Sequence, residues 1–189
     1  MPFLIVGLGN PGREYEYTKH NIGWDIFEKL SFADDLIWKE KHKGLFASID
    51  IYGEKFYFLK PQTYMNLSGD SVIPFMNYFK VPKENILICH DELDLPYGTI
   101  SFKNGGGLAG HNGLKSIAAN LGGQDFKRLR IGIGRPVHGD VSNWVLSRFS
   151  GEDADFFEEY LKKVTTALNC YMKQGFQTAI QRYKKKKII

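Results

Sequence analysis

Ile86-Leu87-Ile88-Cys89 is an uninterrupted apolar run that opens directly into His90-Asp91-Glu92-Leu93-Asp94-Leu95-Pro96. A strand that is apolar at every position has both faces buried, the habit of central parallel strands covered by helices on each side. Phe3-Leu4-Ile5-Val6 repeats the pattern and opens into Gly7-Leu8-Gly9-Asn10-Pro11-Gly12. Side chains leaving the carboxyl ends of such strands stand on a rigid base yet face a crevice, where α/β proteins place their sites. The two runs point to an α/β fold and to two segments able to meet beyond the strand ends.

The rest of the chain is consistent with that class. An amphipathic helix is expected around Asn21–Leu30, burying Ile22, Ile26, Phe27 and Leu30. Leu45–Tyr52 and Lys55–Lys60, split by Gly53, read as a hairpin, which makes the sheet mixed. Pro61 ends its second strand, Thr63–Gly69 reads as a loop, and Ser68 is placed to cap a helix carrying Val72, Phe75 or Met76, and Phe79. Gly105-Gly106-Gly107 is too permissive for regular structure. A helix from about His111 to Leu121 follows, with Leu114, Ile117, Ala118 and Leu121 on one face and Gly122-Gly123 as its stop. Arg128–Gly132 reads as a strand. Ser150 with Asp153 opens one long helix with the stripe Phe157, Leu161, Val164, Leu168 and Met172, closed by Gly175.

At 189 residues, 43% hydrophobic and 24% charged, the chain has the composition of one globular domain, 1–189. No apolar stretch approaches the roughly 20 residues of a membrane span. The N-terminus shows no basic region with a long apolar core, so no secretory signal is expected. Cys89 and Cys170 both lie in apolar patterns and read as buried thiols, in keeping with a reducing cytoplasm. From Phe126 onward thirteen Lys/Arg face six Asp/Glu, so the last third carries the positive charge. Such a field attracts polyanions; the plainer reading is a solvated basic surface with a frayed tail, about 184–189, holding Lys184-Lys185-Lys186-Lys187.

Gly7-x-Gly9-x-x-Gly12 matches the dinucleotide-binding fingerprint in letter. The context disagrees: Arg13–Lys19 has little apolar periodicity, and no second parallel strand ending in an acid follows. His20 carries more weight, because imidazole is suited to proton transfer near neutral pH. Asp91 stands at the end of another central strand and can be aimed across the strand ends at a residue after the first, fixing the tautomer of an imidazole there. No Gly-x-Ser-x-Gly is present, and no His-Glu-x-x-His or Cys/His spacing supports a metal site, so Glu92 and Asp94 are read as turn-shaping. Histidine-activated water attacking an ester is the simplest chemistry left. Asn10, Asn66 and Asn112 each follow a strand or start a helix next to the motif glycines. Their amides suit holding a carbonyl or a water, although a lone asparagine in such a place commonly just caps a turn.

Together the segments Gly7–Gly12 with Tyr15, Thr18, His20 and Asn21, then Met65–Gly69, His90–Pro96, Gly105–Lys115 and Arg128–Gly134 closely resemble the bacterial-type peptidyl-tRNA hydrolase family, in order and across essentially the whole chain. The resemblance implies a three-layer αβα domain with a mixed, twisted central sheet, a monomer in the cytoplasm, and neither metal nor organic cofactor. It implies hydrolysis of the ester joining a peptide to the 3′-terminal ribose of tRNA. By motif match, His20 would activate water, Asp91 would orient it, and Asn10 would discriminate N-blocked from free aminoacyl-tRNA. Tyr15, Tyr64, Asn66 and Asn112 would line the cleft for the terminal nucleotide and peptide. Lys103 and Arg130 would clamp the tRNA 5′-phosphate at the acceptor stem.

Three positions depart from the family pattern. Lys19 stands where arginine is common, keeping charge but losing the bidentate fork. Ser101 replaces a second lysine, so the clamp is weaker or rebuilt from Lys127 or the lysine tail. Leu108-Ala109 replaces a more glycine-rich rim. Two other readings stay open at this point: a non-catalytic RNA-binding protein on the same fold, and a dinucleotide-dependent oxidoreductase.

Overall fold

The computed structural model describes residues 1–189. Its sheet has eight strands: β1 (Phe3–Gly7), β2 (Lys39–Lys41), β3 (Gly44–Ile51), β4 (Glu54–Pro61), β5 (Ile86–Glu92), β6 (Thr99–Asn104), β7 (Lys127–Gly132) and β8 (Lys186–Lys187), in the order β2-β3-β4-β1-β5-β7-β6-β8. The four inner strands β4, β1, β5 and β7 are parallel, while β2, β3, β6 and β8 add antiparallel pairs at the two edges. β5 is buried along its whole length, as its apolar run predicts.

Helices cover both faces. On one side α2 (Gly69–Phe79) and α3 (Asn112–Leu121) close a core of 15 residues around Leu4, Val6, Ile88, Phe75 and Ile117. On the other, α1 (Ile22–Asp25) and α6 (Phe157–Gln174), with α7 (Phe176–Arg182), close a core of 25 around Ile5, Leu87, Phe58, Tyr160 and Leu168. Two short helices, α4 (Val141–Val145) and α5 (Gly151–Asp155), precede α6. β1 lies between β4 and β5, strands consecutive in sequence and both parallel to it, so the strand order reverses there and leaves a crevice beyond the strand ends. No helix is long and apolar enough to cross a membrane.

Several local expectations need correction. Residues 21–30 do bury the four predicted side chains, but as 3-10 turns around the short α1 rather than one helix. Ser68 does not cap α2: its backbone is already helical and its hydroxyl bonds the Met65 carbonyl, three residues back, at 2.7 Å. The long C-terminal helix is broken at Phe156, and Ser150 makes no side-chain cap. The lysine tail is not frayed. It forms the edge strand β8 on β6, and neither of these strands is foreseen by the sequence reading.

One close approach shapes the crevice end of the sheet. A methyl group on Gly23 would lie 2.5 Å from the Cys89 carbonyl oxygen and 2.7 Å from the Leu8 nitrogen, and one on Gly7 would meet the Gly23 carbonyl at 2.1 Å. Only glycine lets α1 sit directly on the ends of β1 and β5, and the turn Lys19–Asn21 comes with it.

Candidate active site

Beyond the strand ends lies a cavity of about 620 Å³. Asn10, Tyr15, His20, Tyr64, Asn66, Asp91 and Asn112, seven of the nine site residues expected from the sequence, line it. They come from different parts of the chain. Asn10 follows β1, His20 sits in the 3-10 turn ahead of α1, Tyr64 and Asn66 belong to the 3-10 turn after β4 and its entry, Asp91 is the penultimate residue of β5, and Asn112 begins α3. The glycine turn is not followed by a helix on which a pyrophosphate could rest. Gly12, at φ 110°, leads into a single 3-10 turn, Arg13–Tyr15.

His20 and Asp91 are both buried and in direct contact: Nδ1 lies 2.8 Å from Oδ2 and 3.0 Å from Oδ1. Burial alone would push the Asp91 carboxyl up, but His20 and His111 outweigh it and hold it well below the usual carboxylate range. An ionised carboxylate only accepts, so Nδ1 of His20 carries the proton and Nε2 keeps the lone pair. That nitrogen makes no hydrogen bond to protein and belongs to a ring lining the cavity. Burial also opposes the imidazolium of His20, yet the charge and hydrogen bond of Asp91 prevail and its pKa is raised.

His111 completes the arrangement, a contact that sequence reasoning missed. Its Nδ1 accepts from Gly113 N–H at 3.1 Å and Leu114 N–H at 3.3 Å, capping α3. The ring is thereby held as the Nε2–H tautomer, and Nε2 donates to Asp91 Oδ1 at 2.8 Å. Its sequence signals are a place at a helix start and within the Gly105–Lys115 segment, neither of which points to Asp91. His90 also borders the cavity, its ring centre 5.2 Å from that of His111, but it makes no bond to the Asp91 carboxylate: its Nδ1–H donates to the Asp91 carbonyl at 2.8 Å, and burial with His111 nearby pushes its pKa down to about 4, so it is neutral. The facing atoms of His20, Asp91 and His111 lie within 4.8 Å of one another, a spacing that a divalent cation could bridge. In the arrangement described, both imidazoles already present N–H to the carboxylate, so binding a cation would first require each ring to lose or move that proton.

Asn10 is held as firmly. Its backbone N–H donates to Asn21 Oδ1 at 2.8 Å, Asn21 Nδ2 returns a bond to its carbonyl at 3.0 Å, and its own Oδ1 accepts from Met65 N–H at 2.7 Å. With the acceptor taken, Nδ2 is what Asn10 offers a ligand. Asn66 and Asn112 are exposed at the rim, and the Tyr15 and Tyr64 rings meet edge-to-face at 6.3 Å. Leu108 and Ala109 of the rim departure line the opening too, and Val141, Val145 and Leu146 give it an apolar wall.

That wall is tied to the residue next to His20. Lys19 is buried, and its ammonium donates to Ser147 Oγ at 2.8 Å and the Arg148 carbonyl at 3.0 Å while lying 3.9 Å from the centre of the Trp144 ring. A lysine thus satisfies two acceptors and a π face without the arginine fork. Lys103 and Arg130 stand outside the cavity. In the β6–β7 register Ser101 opposes Arg130 and Lys103 opposes Arg128, which puts all four on one face. Arg130 Nε is held by Glu92 Oε1 at 2.8 Å, so Glu92 does more than shape the turn in which it accepts Asp94 N–H. Arg128 donates to the Gly106, Gly107 and Gln124 carbonyls, fastening the glycine loop.

Comparison with known proteins gives a consistent outcome. Residues 4–189 match the family model described as peptidyl-tRNA hydrolase. The chain is 45% identical over 175 residues to the peptidyl-tRNA hydrolase of Shouchella clausii, covering 92% of this chain and 95% of that one. It is 43% identical over 187 residues to that of Geotalea daltonii, covering 98% of each. The crystal structure of peptidyl-tRNA hydrolase from Acinetobacter baumannii superposes with a TM-score of 0.88 at 37% identity, covering 99% of this chain and 96% of that one.

Proposed function

The chain belongs to the peptidyl-tRNA hydrolase family, and from that premise we propose how its own residues carry out the reaction. The activity is hydrolysis of the ester that joins a peptide to tRNA, releasing both. In our reading Nε2 of His20 takes a proton from water as the water oxygen attacks the ester carbonyl. The tetrahedral adduct collapses by breaking the bond to the ribose oxygen, which receives the proton from the imidazolium. Asp91 stabilises that cation and keeps the ring in the working tautomer. General-base catalysis of this kind supplies roughly 10²–10⁴-fold, with positioning and polar donors adding to it. His111 acts as a positioning residue through Asp91.

The observation that carries this reading is the Nδ1–Asp91 bond at 2.8 Å in a ring whose other nitrogen has no protein partner and borders a cavity. Asn10 Nδ2 suits a carbonyl of the peptide. Free aminoacyl-tRNA lacks that peptide carbonyl and brings an ammonium group, which a donor disfavours. Asn66, Asn112, Tyr15 and Tyr64 receive the terminal nucleotide and the peptide backbone. Lys103 and Arg130 meet phosphate at the acceptor stem, contacts that position without reading sequence. The deciding assay compares N-acetylated with free aminoacyl-tRNA, with and without chelator. Release of the blocked acyl group alone, undiminished by chelator, is expected. Tight tRNA binding without turnover would instead make the protein an RNA-binding module.

A further inference from the structure

The outer edge of the sheet carries a feature the reaction does not use. β8 pairs antiparallel with β6, Lys186 opposite Ile100 and Lys187 opposite Thr99. The tail is fastened along its length: Phe102 N–H bonds the Tyr183 carbonyl at 3.2 Å, Lys185 N–H bonds Ser101 Oγ at 3.1 Å, and Ile188 N–H bonds the Gly98 carbonyl at 2.8 Å. Ile188 and Ile189 pack against the larger core. Lys184, Lys185, Lys186 and Lys187 are nevertheless all exposed, and none has an acidic partner at ion-pair distance.

Lysine on an edge strand is ordinarily a guard against pairing with another chain. That explains one or two charges but not four in a row, whose mutual repulsion the protein bears while ordering their backbone. The surroundings are basic too. Directly paired residues share a face, so Lys187 lies on the same side as Ser101, Arg130 and Lys103, while Lys186, opposite Ile100, leaves from the other face, and the run fans around the sheet edge. β8 also runs parallel to β5, so its end reaches the level of Glu92, beside Asp91. Three strand spacings, about 14 Å, separate it from β5. Lys187 therefore extends, on the same side of the sheet, the basic surface that Lys103 and Arg130 begin beside the cavity.

We propose that Lys184–Lys187 form a phosphate-binding ledge for the helical body of tRNA, an anchor separate from the cavity. This rests on the functional reading above. The test replaces all four lysines by glutamine, which leaves the backbone pairing and both isoleucines in place, and uses Lys187→Glu as a lighter variant. KM and kcat are measured on N-acetylated aminoacyl-tRNA and on the same ester carried by a CCA trinucleotide, between 50 and 200 mM salt. Binding of deacylated tRNA is titrated separately.

For the fourfold variant KM on whole tRNA should rise about 10-fold, and the salt slope should fall by about one for each phosphate no longer neutralised. The trinucleotide substrate and kcat should stay unchanged, and the titration should weaken in parallel. Unchanged KM and slope, or equal losses on both substrates, would overturn the ledge. Failure of the unaltered protein to hydrolyse either substrate would overturn the functional reading instead, while the titration would still decide the ledge.

Discussion

His111 reaches Asp91 from the start of α3 at 2.8 Å, on the carboxylate oxygen beside the one nearest His20. A single buried acid thus orients two imidazoles, and the second is locked because its other nitrogen caps a helix. His111→Asn keeps a good cap but cannot span to Asp91. We expect kcat to fall about 10-fold, the order of loss when a partner that orients a metal-bound imidazole is removed, with KM nearly unchanged and the melting temperature lowered because the buried Asp91 carboxylate loses a donor. His111→Ala should lose about 1 kcal/mol of stability as well, through the cap. An effect confined to KM would remove His111 from the positioning role.

The pH profile tests the base. The raised pKa of His20 means that lone-pair availability is lost on acidification with a midpoint above the ordinary imidazole value. Asp91→Asn removes the charge and should move that midpoint down while lowering kcat by roughly 10²–10⁴-fold. The same shift has a stability sign. The His20 contribution is fully present below the unfolded imidazole pKa and fades as pH rises through the folded one. An acid limb that does not move in Asp91→Asn would argue against His20 as the base.

Arg130 and Lys103 should separate by their partners. Lys103 makes no ion pair, whereas Arg130 is bound to Glu92. Lys103→Gln should lower the salt slope of tRNA binding by about one and leave stability alone. Arg130→Ala should do the same and also destabilise the fold by about 1–3 kcal/mol, because a largely buried carboxylate loses its partner. Denaturation curves beside salt titrations check both.

Gly23→Ala is expected to damage activity from a distance. The added methyl meets backbone atoms at 2.5 and 2.7 Å, so α1 must lift from the strand ends. Overpacking of this type costs about 1–3 kcal/mol, and His20 moves with the helix. A fall in kcat together with a lower melting temperature is the expected result.

Asp25 is buried with Oδ2 unpartnered, and burial together with Glu28 pushes its carboxyl up to about 8, against a smaller opposing effect of Lys60. Between about pH 4 and 8 the unfolded chain releases a proton that the folded one keeps, so stability declines across that window as pH rises. Asp25→Asn removes the ionisation. The variant should exceed the parent by about 1–3 kcal/mol at pH 8 and match it near pH 4, as measured by urea unfolding at both values.

The cavity was legible in the sequence to the extent that apolar runs declared their strand ends. Ile86–Cys89 located Asp91, Phe3–Val6 located Asn10, and the short distance to His20 did the rest. Residues that depend on neighbours remote in sequence were not legible. β6 is a brief alternation of Ile100 and Phe102 with polar residues, too short to stand out. β8 reads as a charged tail, because what orders it is remote in sequence: Gly98 and the β6 residues Thr99, Ile100, Ser101 and Phe102. Ser68 looks like a cap, but the preceding 3-10 turn had already set its backbone in the helical region.

Lys19 and His20 are consecutive residues, one gripping Ser147, Arg148 and the Trp144 ring, the other gripping Asp91. Whatever occupies the space between them leans on α4 and, through a single peptide link, on the imidazole. A bulky group pressing that wall outward would load the Lys19 anchor, one peptide link from the ring that Asp91 holds.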